Sequence, residues 1–396
     1  MDKNYFNHKY KTLRKENMPK KIRLGILGGG GDSLIGILHR AASQINDNYE
    51  VVGAVFNPDH QESLEFARKI DIPTDRVYRD YEVLIEEELK LPEDKRIQVC
   101  SILTPNFLHF PMAKKLLDNG FHVICEKPMT TTYEEAVILN EAVEASGKVF
   151  ALTHTYTGYP MVRQMREMIK AGAIGKVHKV DAQYYQGWMN PIIHDKEKRS
   201  TVWRLDPKKA GISSCMGDIG VHAFNMVEYT TGLKVRSLLS DFNYMYDDNQ
   251  MDMDGTVLIR MDTNVKGVIR ASQVATGEEN NFSMAIYGQK GGLKWEQENP
   301  NYLYRLNDPE PLQVYKPGHA YNSRLSLDGT KLPPGHPEGI FDSMANIYLG
   351  VARAIRGEAH DPGEFPTVLD GLRGMNFIEN TVSSHKQGNI WVDMED

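Results

Sequence analysis

The chain is predicted to fold in the α/β class, as a parallel sheet covered by helices on both faces, followed by an α+β unit built on a large, mainly antiparallel sheet. Three observations predict this. From residue 22 to 153, short apolar runs alternate with segments of helical period, the pattern of a parallel sheet buried on both faces. After Thr153 the rhythm changes to longer runs joined by short polar turns such as Asp262-Thr263-Asn264, which reads as an antiparallel sheet. At 396 residues the chain exceeds what one hydrophobic core usually serves. Two units are therefore expected, 21–153 and 154–396, after an amino-terminal arm over 1–20.

The arm is polar and basic, with Lys3, Lys9, Lys11, Arg14, Lys15 and Lys20, and lacks the apolar stretch of a secretory signal. It is expected to pack on its own body or on a second subunit. Strands are predicted at 22–27, 50–56, 97–103, 121–125 and 148–153. Between them, 59–69 carries Leu64, Ala67 and Ile70 on one side, and 107–118 turns Phe107, Phe110, Ala113, Leu116 and Leu117 inward.

In the second unit a helix over 159–171 precedes β runs at 176–187, 234–246, 254–262, 265–273 and 282–288. Two further helices close the chain. In 337–357, Ile340, Met344, Ile347, Tyr348, Val351 and Ile355 form one stripe, and 366–382 repeats the register with Val368, Leu372, Met375 and Val382. Two long polar loops, 188–215 and 315–337, have the length of lids or pocket walls and are expected to carry specificity.

Composition narrows the function. The net charge of -7 offers no basic surface of the kind nucleic acid needs. No run approaches ~18 apolar residues, so no membrane span is expected. Cys100, Cys125 and Cys215 lie far apart, two of them inside apolar runs, and read as buried thiols in a reducing cytoplasm. No Cys-x-x-Cys pair or histidine cluster has metal-ligand spacing.

The chemistry-bearing motifs fall at strand ends. Ile22–Leu27 runs into Gly28-Gly29-Gly30-Gly31, and Gly36 follows Gly30 at six positions where the usual dinucleotide fingerprint has three. Gly28, Gly30 and Gly31 would let the backbone approach a pyrophosphate, and a helix capped by Asp32 or Ser33 would point its positive end at it. The alternative is a tight turn with nothing bound. At the second strand's end, Asn57 is neutral and no arginine stands beside it for a 2′-phosphate, which favours NAD and leaves NADP open.

Thr104-Pro105-Asn106 ends the third run, with His109 beyond it. Thr104 and Asn106 would lie over the crevice; His109 has the alternative of a satisfied residue on the helix surface. Glu126-Lys127-Pro128 ends the fourth run and places an ammonium at the carboxyl edge of the sheet, where open α/β sheets bind ligands. In Met216-Gly217-Asp218-Ile219-Gly220-Val221-His222, Asp218 and His222 are four apart on one helical face. Asp218 could hold a neighbouring imidazole or a substrate hydroxyl. The alternative is a helix-start carboxylate beside a packed histidine.

These motifs, in this order, resemble those of the glucose-fructose oxidoreductase, inositol dehydrogenase and rhizopine-catabolism (Gfo/Idh/MocA) family over roughly residues 20–390. The resemblance implies a Rossmann domain that binds NAD or NADP and a following α/β domain with a large sheet. It also implies substrates among sugars, sugar derivatives and cyclitols. It assigns catalysis to Lys127, Asp218 and His222, cofactor contacts to Glu126 and Lys127 besides the glycine turn, Asn57, Thr104, Asn106 and His109, and pocket lining to His154 and Tyr156. Trp203 and Arg204 are further candidates for sugar contacts, Trp203 with a packing role as alternative.

The expected reaction moves a hydride from a secondary hydroxyl carbon to nicotinamide, with His222 or Lys127 as base. Rival readings are a glycosidase or epimerase-like enzyme that oxidises its sugar transiently, and a non-catalytic nucleotide- or sugar-binding regulator. A homodimer or homotetramer through the second sheet is expected.

Overall fold

The computed structural model describes residues 19–246 and 250–394, so the predicted arm lies outside the described residues except for Pro19 and Lys20. The first sheet comprises β1 (Ile22–Gly28), β2 (Tyr49–Val55), β3 (Val99–Leu103), β4 (His122–Cys125) and β5 (Phe150–Leu152). Their order is β2-β1-β3-β4-β5 with every pair parallel. All five residues of β3 are buried, as a strand covered on both faces requires. The covering helices are α1 (Leu34–Ile45), α2 (His60–Lys69), α3 (Tyr81–Lys90), α4 (His109–Asp118) and α5 (Tyr133–Ser146). Strand order reverses between β1 and β3, which opens a crevice at their carboxyl ends.

One predicted inward residue is corrected. A 3₁₀ turn over Asn106–Leu108 precedes α4, and its tighter pitch swings Phe107 off the buried stripe to 41% exposure.

The second sheet has nine strands in the order β13-β12-β11-β10-β6-β9-β8-β7-β14. They are β6 (Val177–Tyr185), β7 (Val235–Asn243), β8 (Asp254–Met261), β9 (Lys266–Ser272), β10 (Asn281–Gly288), β11 (Gly291–Glu296), β12 (Leu303–Leu306), β13 (Gln313–Tyr315) and β14 (Val392–Asp393). Neighbours are antiparallel except β6 and β9, which run parallel, so the sheet is mixed. A parallel pair needs a crossover, and the long connection from β6 to β9 supplies it. Burial alternates along β8, the mark of a half-covered strand, and leaves Leu258 44% exposed on the open face. The covered face carries α7 (Val221–Thr231) on β6 and α9 (Val368–Lys386) on β7; α6 (Pro160–Lys170) packs on α7.

Helix α8 (Ile340–Ile355) does not join this sheet. It returns to the first one, where Met344, Ile347, Tyr348 and Val351 share a cluster with Ile22, Leu24, Ile26 and Val99. Asn46 Nδ2 donates to the Ala345 carbonyl at 2.9 Å and Tyr49 Oη to that of Tyr348 at 2.7 Å, fixing the contact. All three cysteines are buried. Among the described residues no helix is long and apolar enough to cross a membrane.

Candidate active site

The glycine turn leaves β1 with Gly28, Gly29 and Gly31 at φ of 87°, 68° and 59°, a region L side chains rarely adopt. A Cβ on Gly30 would stand 2.8 Å from the Phe56 carbonyl oxygen, and one on Gly36 only 1.9 Å from that of Gly29. Gly36 therefore lets helix and strand approach closely, and the widened spacing accommodates Ser33, whose Oγ accepts from Gly36 N at 3.2 Å as the cap of α1. No acidic side chain stands in the first turn of α1, so no carboxylate there competes with an anion for its positive end.

Around the crevice, several polar side chains serve the chain itself. Asn57 Oδ1 accepts from Asp59 N at 2.9 Å in a turn leading to α2. Asn106 Nδ2 donates to the Ala210 carbonyl at 2.9 Å, tying the 188–215 loop to the end of β3. His109 is 1% exposed and spans the Pro128 and Thr104 carbonyls at 2.7 and 2.9 Å. It braces one crevice segment against another.

Glu126 is likewise internal. Its Oε1 takes Thr153 Oγ1 at 2.5 Å and His39 Nε2 at 3.0 Å; His39 Nδ1 meets Tyr348 Oη at 2.8 Å. Burial opposes its charge, but His39 and Lys127 hold its carboxyl below the usual range.

Lys127 Nζ donates to Asp218 Oδ1 at 2.6 Å and to the Asp218 carbonyl at 2.8 Å. Asp218 Oδ2 accepts from Gln273 Nε2 at 2.9 Å, and Arg204 Nε lies 3.1 Å away, near enough for charge attraction though not aligned as a hydrogen bond. Burial would raise the Asp218 carboxyl, yet Arg204 and Lys127 hold it well below the usual range. Asp218 sits in a single π-helical turn, Met216–Gly220, before α7 begins. Such turns re-aim side chains at functional sites.

His222, one turn on, hydrogen-bonds through Nδ1 to Nδ1 of His154 at 3.2 Å. Burial lowers its pKa well below the ordinary value, and the positive charge of Lys127 and the neighbouring His154 add to this. The imidazole is thus neutral at working pH.

These groups line one cleft of about 650 Å³, shared by Glu126, Lys127, Thr153, Tyr156, Tyr184, Arg204, Asp218 and His222. An ammonium, a carboxylate and a neutral imidazole from both halves of the chain meet there.

Residues 22–154 match the family described as "Oxidoreductase family, NAD-binding Rossmann fold", and residues 162–294 match the "GFO/IDH/MocA C-terminal domain". The chain belongs to the Gfo/Idh/MocA family. It is an NAD(P)-dependent oxidoreductase of that family. It is 30% identical to an uncharacterized oxidoreductase, YfiI, of Bacillus subtilis (strain 168), over 95% of this chain and 98% of the relative. It is 28% identical to levoglucosan dehydrogenase of Pseudarthrobacter phenanthrenivorans, over 76% of this chain and 81% of that one. A crystal structure of an inositol dehydrogenase homolog from Azotobacter vinelandii, complexed with NADH and myo-inositol, superposes with a TM-score of 0.86 at 29% identity. It covers 95% of this chain and 98% of its own.

Within this Gfo/Idh/MocA site, four expectations need correction. His154 is 1% exposed and stands behind His222 rather than lining the cleft. Trp203 is also absent from the lining; its ring carries the Arg204 guanidinium at 4.5 Å and packs beside a small cluster with Met189 and Met253. No residue of loop 315–337 reaches the cleft, whereas loop 188–215 supplies Trp188 and Arg204. Asp218 holds Lys127 and makes no hydrogen bond to His222, so of its expected uses the imidazole partner is ruled out.

Sequence reasoning missed Tyr184, Gln186 and Trp188, which project in step from the end of β6, and Asn280 opposite them. Tyr184 Oη donates to Asn280 Oδ1 at 2.6 Å and meets Tyr156 Oη at 2.5 Å. The alternation of Tyr184 and Gln186 in the run 176–187 was the available signal. It marked one face of a strand without revealing that the face overhangs the crevice.

Proposed function

We propose that this enzyme reversibly oxidises a secondary hydroxyl of a sugar, sugar derivative or cyclitol. The observation that carries the reading is the convergence of Lys127 and His222 on one cleft beside the glycine turn. The glycine backbone, the uncharged start of α1 and the close packing at Gly36 fit a dinucleotide. Bound nicotinamide would supply the hydride acceptor.

The chain's residues do the rest. His222, neutral and open to the cleft, takes the hydroxyl proton, an effect typically giving ~10²–10⁴-fold in rate. Lys127 donates to the reacting oxygen and stabilises negative charge developing there. With two of its N–H groups given to Asp218, its head is fixed and one donor remains for substrate. This favours His222 over Lys127 as the base. Asp218 positions Lys127, and Arg204, Tyr156, Tyr184 and Asn280 offer hydroxyl partners in the same cleft. Asn57 leaves no charge at the end of β2, which supports NAD over NADP. The open face of β8, with Leu258, is where a second copy would meet the chain in a dimer or tetramer.

The test is a panel of sugars and inositols with NAD and with NADP, followed by absorbance of the reduced ring. Lys127→Ala and His222→Ala should each lower turnover at least ~10²-fold while the dinucleotide still binds. Near-parental rates in both would sink the mechanism. Bond cleavage in a glycoside without net NADH would instead assign a transient oxidation.

A further inference from the structure

The rings of His154 and His222 meet edge to face, centroids 5.2 Å apart, with Nδ1 facing Nδ1 at 3.2 Å. Two like nitrogens can bond only if one bears the hydrogen and the other is bare. His154 is 1% exposed, and its Nε2 is buried without a hydrogen-bond partner. His222 borders the cleft, and Nδ1 carries its ring's hydrogen bond, so Nε2 is the nitrogen left for a ligand.

We propose that His154 is a positioning residue that fixes the tautomer of His222, accepting its Nδ1–H and so leaving Nε2 bare toward the cleft. The assignment rests on the reading of His222 as the base. If the hydrogen lay on His154 instead, His222 would present an N–H to the substrate and could not take its proton. With His154 accepting, His222 holds a lone pair at the reaction site, and the imidazolium formed there keeps a hydrogen-bond acceptor at its back.

The choice of imidazole over carboxylate at this position has a cause. The carboxylate within reach, Asp218, is occupied by Lys127, Gln273 and Arg204. A carboxylate in place of His154 would add to Asp218 and Glu126 around Lys127 and compete with the reacting oxygen for it. A neutral acceptor orients His222 without competing for that cation. Tyr156 closes the other side of the ring, its centroid 4.9 Å from that of His222, so the imidazole cannot turn over to exchange its nitrogens without displacing a buried tyrosine.

The experiment is nitrogen NMR of the full-length protein labelled in its histidines, with the His222 signals assigned by their loss in His222→Gln. The parent should show His222 protonated at Nδ1 and bare at Nε2. His154→Asn, whose amide oxygen can accept at the same place, should keep that tautomer and turn over within ~3-fold of the parent. His154→Leu should lose the tautomer preference and ~10- to 100-fold in kcat with little change in KM. A parent spectrum with the hydrogen on Nε2 overturns the proposal whatever the variants do. Equal losses of kcat in His154→Asn and His154→Leu also overturn it, since they would show a packing role. The spectrum needs no substrate, so a protein that oxidises no polyol would sink the functional reading and still decide the tautomer.

Discussion

The Asp218 carboxylate and the Lys127 ammonium, 2.6 Å apart, join the π-helical turn before α7 to the end of β4. The contact binds the two halves of the chain at the point where chemistry is proposed. Asp218→Asn keeps the shape but removes the charge that Lys127 and Arg204 share, leaving Glu126 as the carboxylate beside Lys127. Turnover should fall ~10²-fold while NADH affinity, read by fluorescence titration, stays within a few-fold. Unchanged turnover would show that the pair is structural alone.

Acid should destabilise the protein before its surface carboxylates titrate. Burial lowers His154 to about 3, and burial with the charge of Lys148 lowers His122 to about 4. In the unfolded chain both take up protons near pH ~6.5, so between that pH and the lowered values the unfolded state binds more protons. Stability is therefore lost as pH falls through this window, by at most about 1.4 kcal/mol per pH unit for the buried His154 and less for the part-exposed His122. Asp218 acts in the same direction lower down: its folded pKa is depressed, so its stabilisation is present above ~4 and lost as pH falls below. Urea midpoints at pH 7, 6 and 5 should fall, and less so in His122→Asn, which keeps an acceptor for Val149 N. A flat profile would contradict the burial argument.

Gly36→Ala and Gly31→Ala should behave differently although both alter the same turn. The first puts a Cβ 1.9 Å from a carbonyl oxygen and must displace the turn; dinucleotide affinity should drop at least ~10²-fold, with a lower melting temperature. The second meets nothing within 4 Å and suffers only from φ of 59°, about 1–2 kcal/mol of strain. Calorimetric titration of NADH against both variants separates the two.

Trp188→Ala should raise the KM for a sugar or cyclitol ~10-fold with kcat within ~3-fold, because Trp188 is 38% exposed on the cleft wall with its indole N–H given to Gln186 Oε1 at 3.1 Å. Trp203→Ala should raise KM less, ~2- to 3-fold, since that ring lies outside the lining and reaches the substrate only through Arg204. Reversed outcomes would move the substrate wall to the other side of the loop.

The strands of the first sheet were legible because a strand buried on both faces is written as an apolar run, and their ends fell within two residues of the reading. Lys127, Asp218 and His222 were legible as motifs at element ends. Other features were hidden by partner choice, which period does not encode. The stripe Ile340–Ile355 declared a buried face but not that α1 lies beneath it. Nothing in the run 176–187 said that β6 pairs parallel to β9. Phe107 escaped its stripe through a 3₁₀ turn, and His154 sits behind the very residue it was expected to accompany into the cleft. The short strands β12, β13 and β14 have too few residues to show alternation.

Helix α8 also bears on how the polypeptide can be divided. Because helix α8 completes the cover over Ile22, Leu24 and Val99, a fragment cut at residue 153 would carry its nucleotide turn on a sheet with part of one face uncovered. On a ribosome, that half must wait until nearly the whole chain has emerged before it can close. A chimaera that grafts a relative's front half onto this back half would have to rebuild the seam at Tyr49 and Tyr348 as well as the cut.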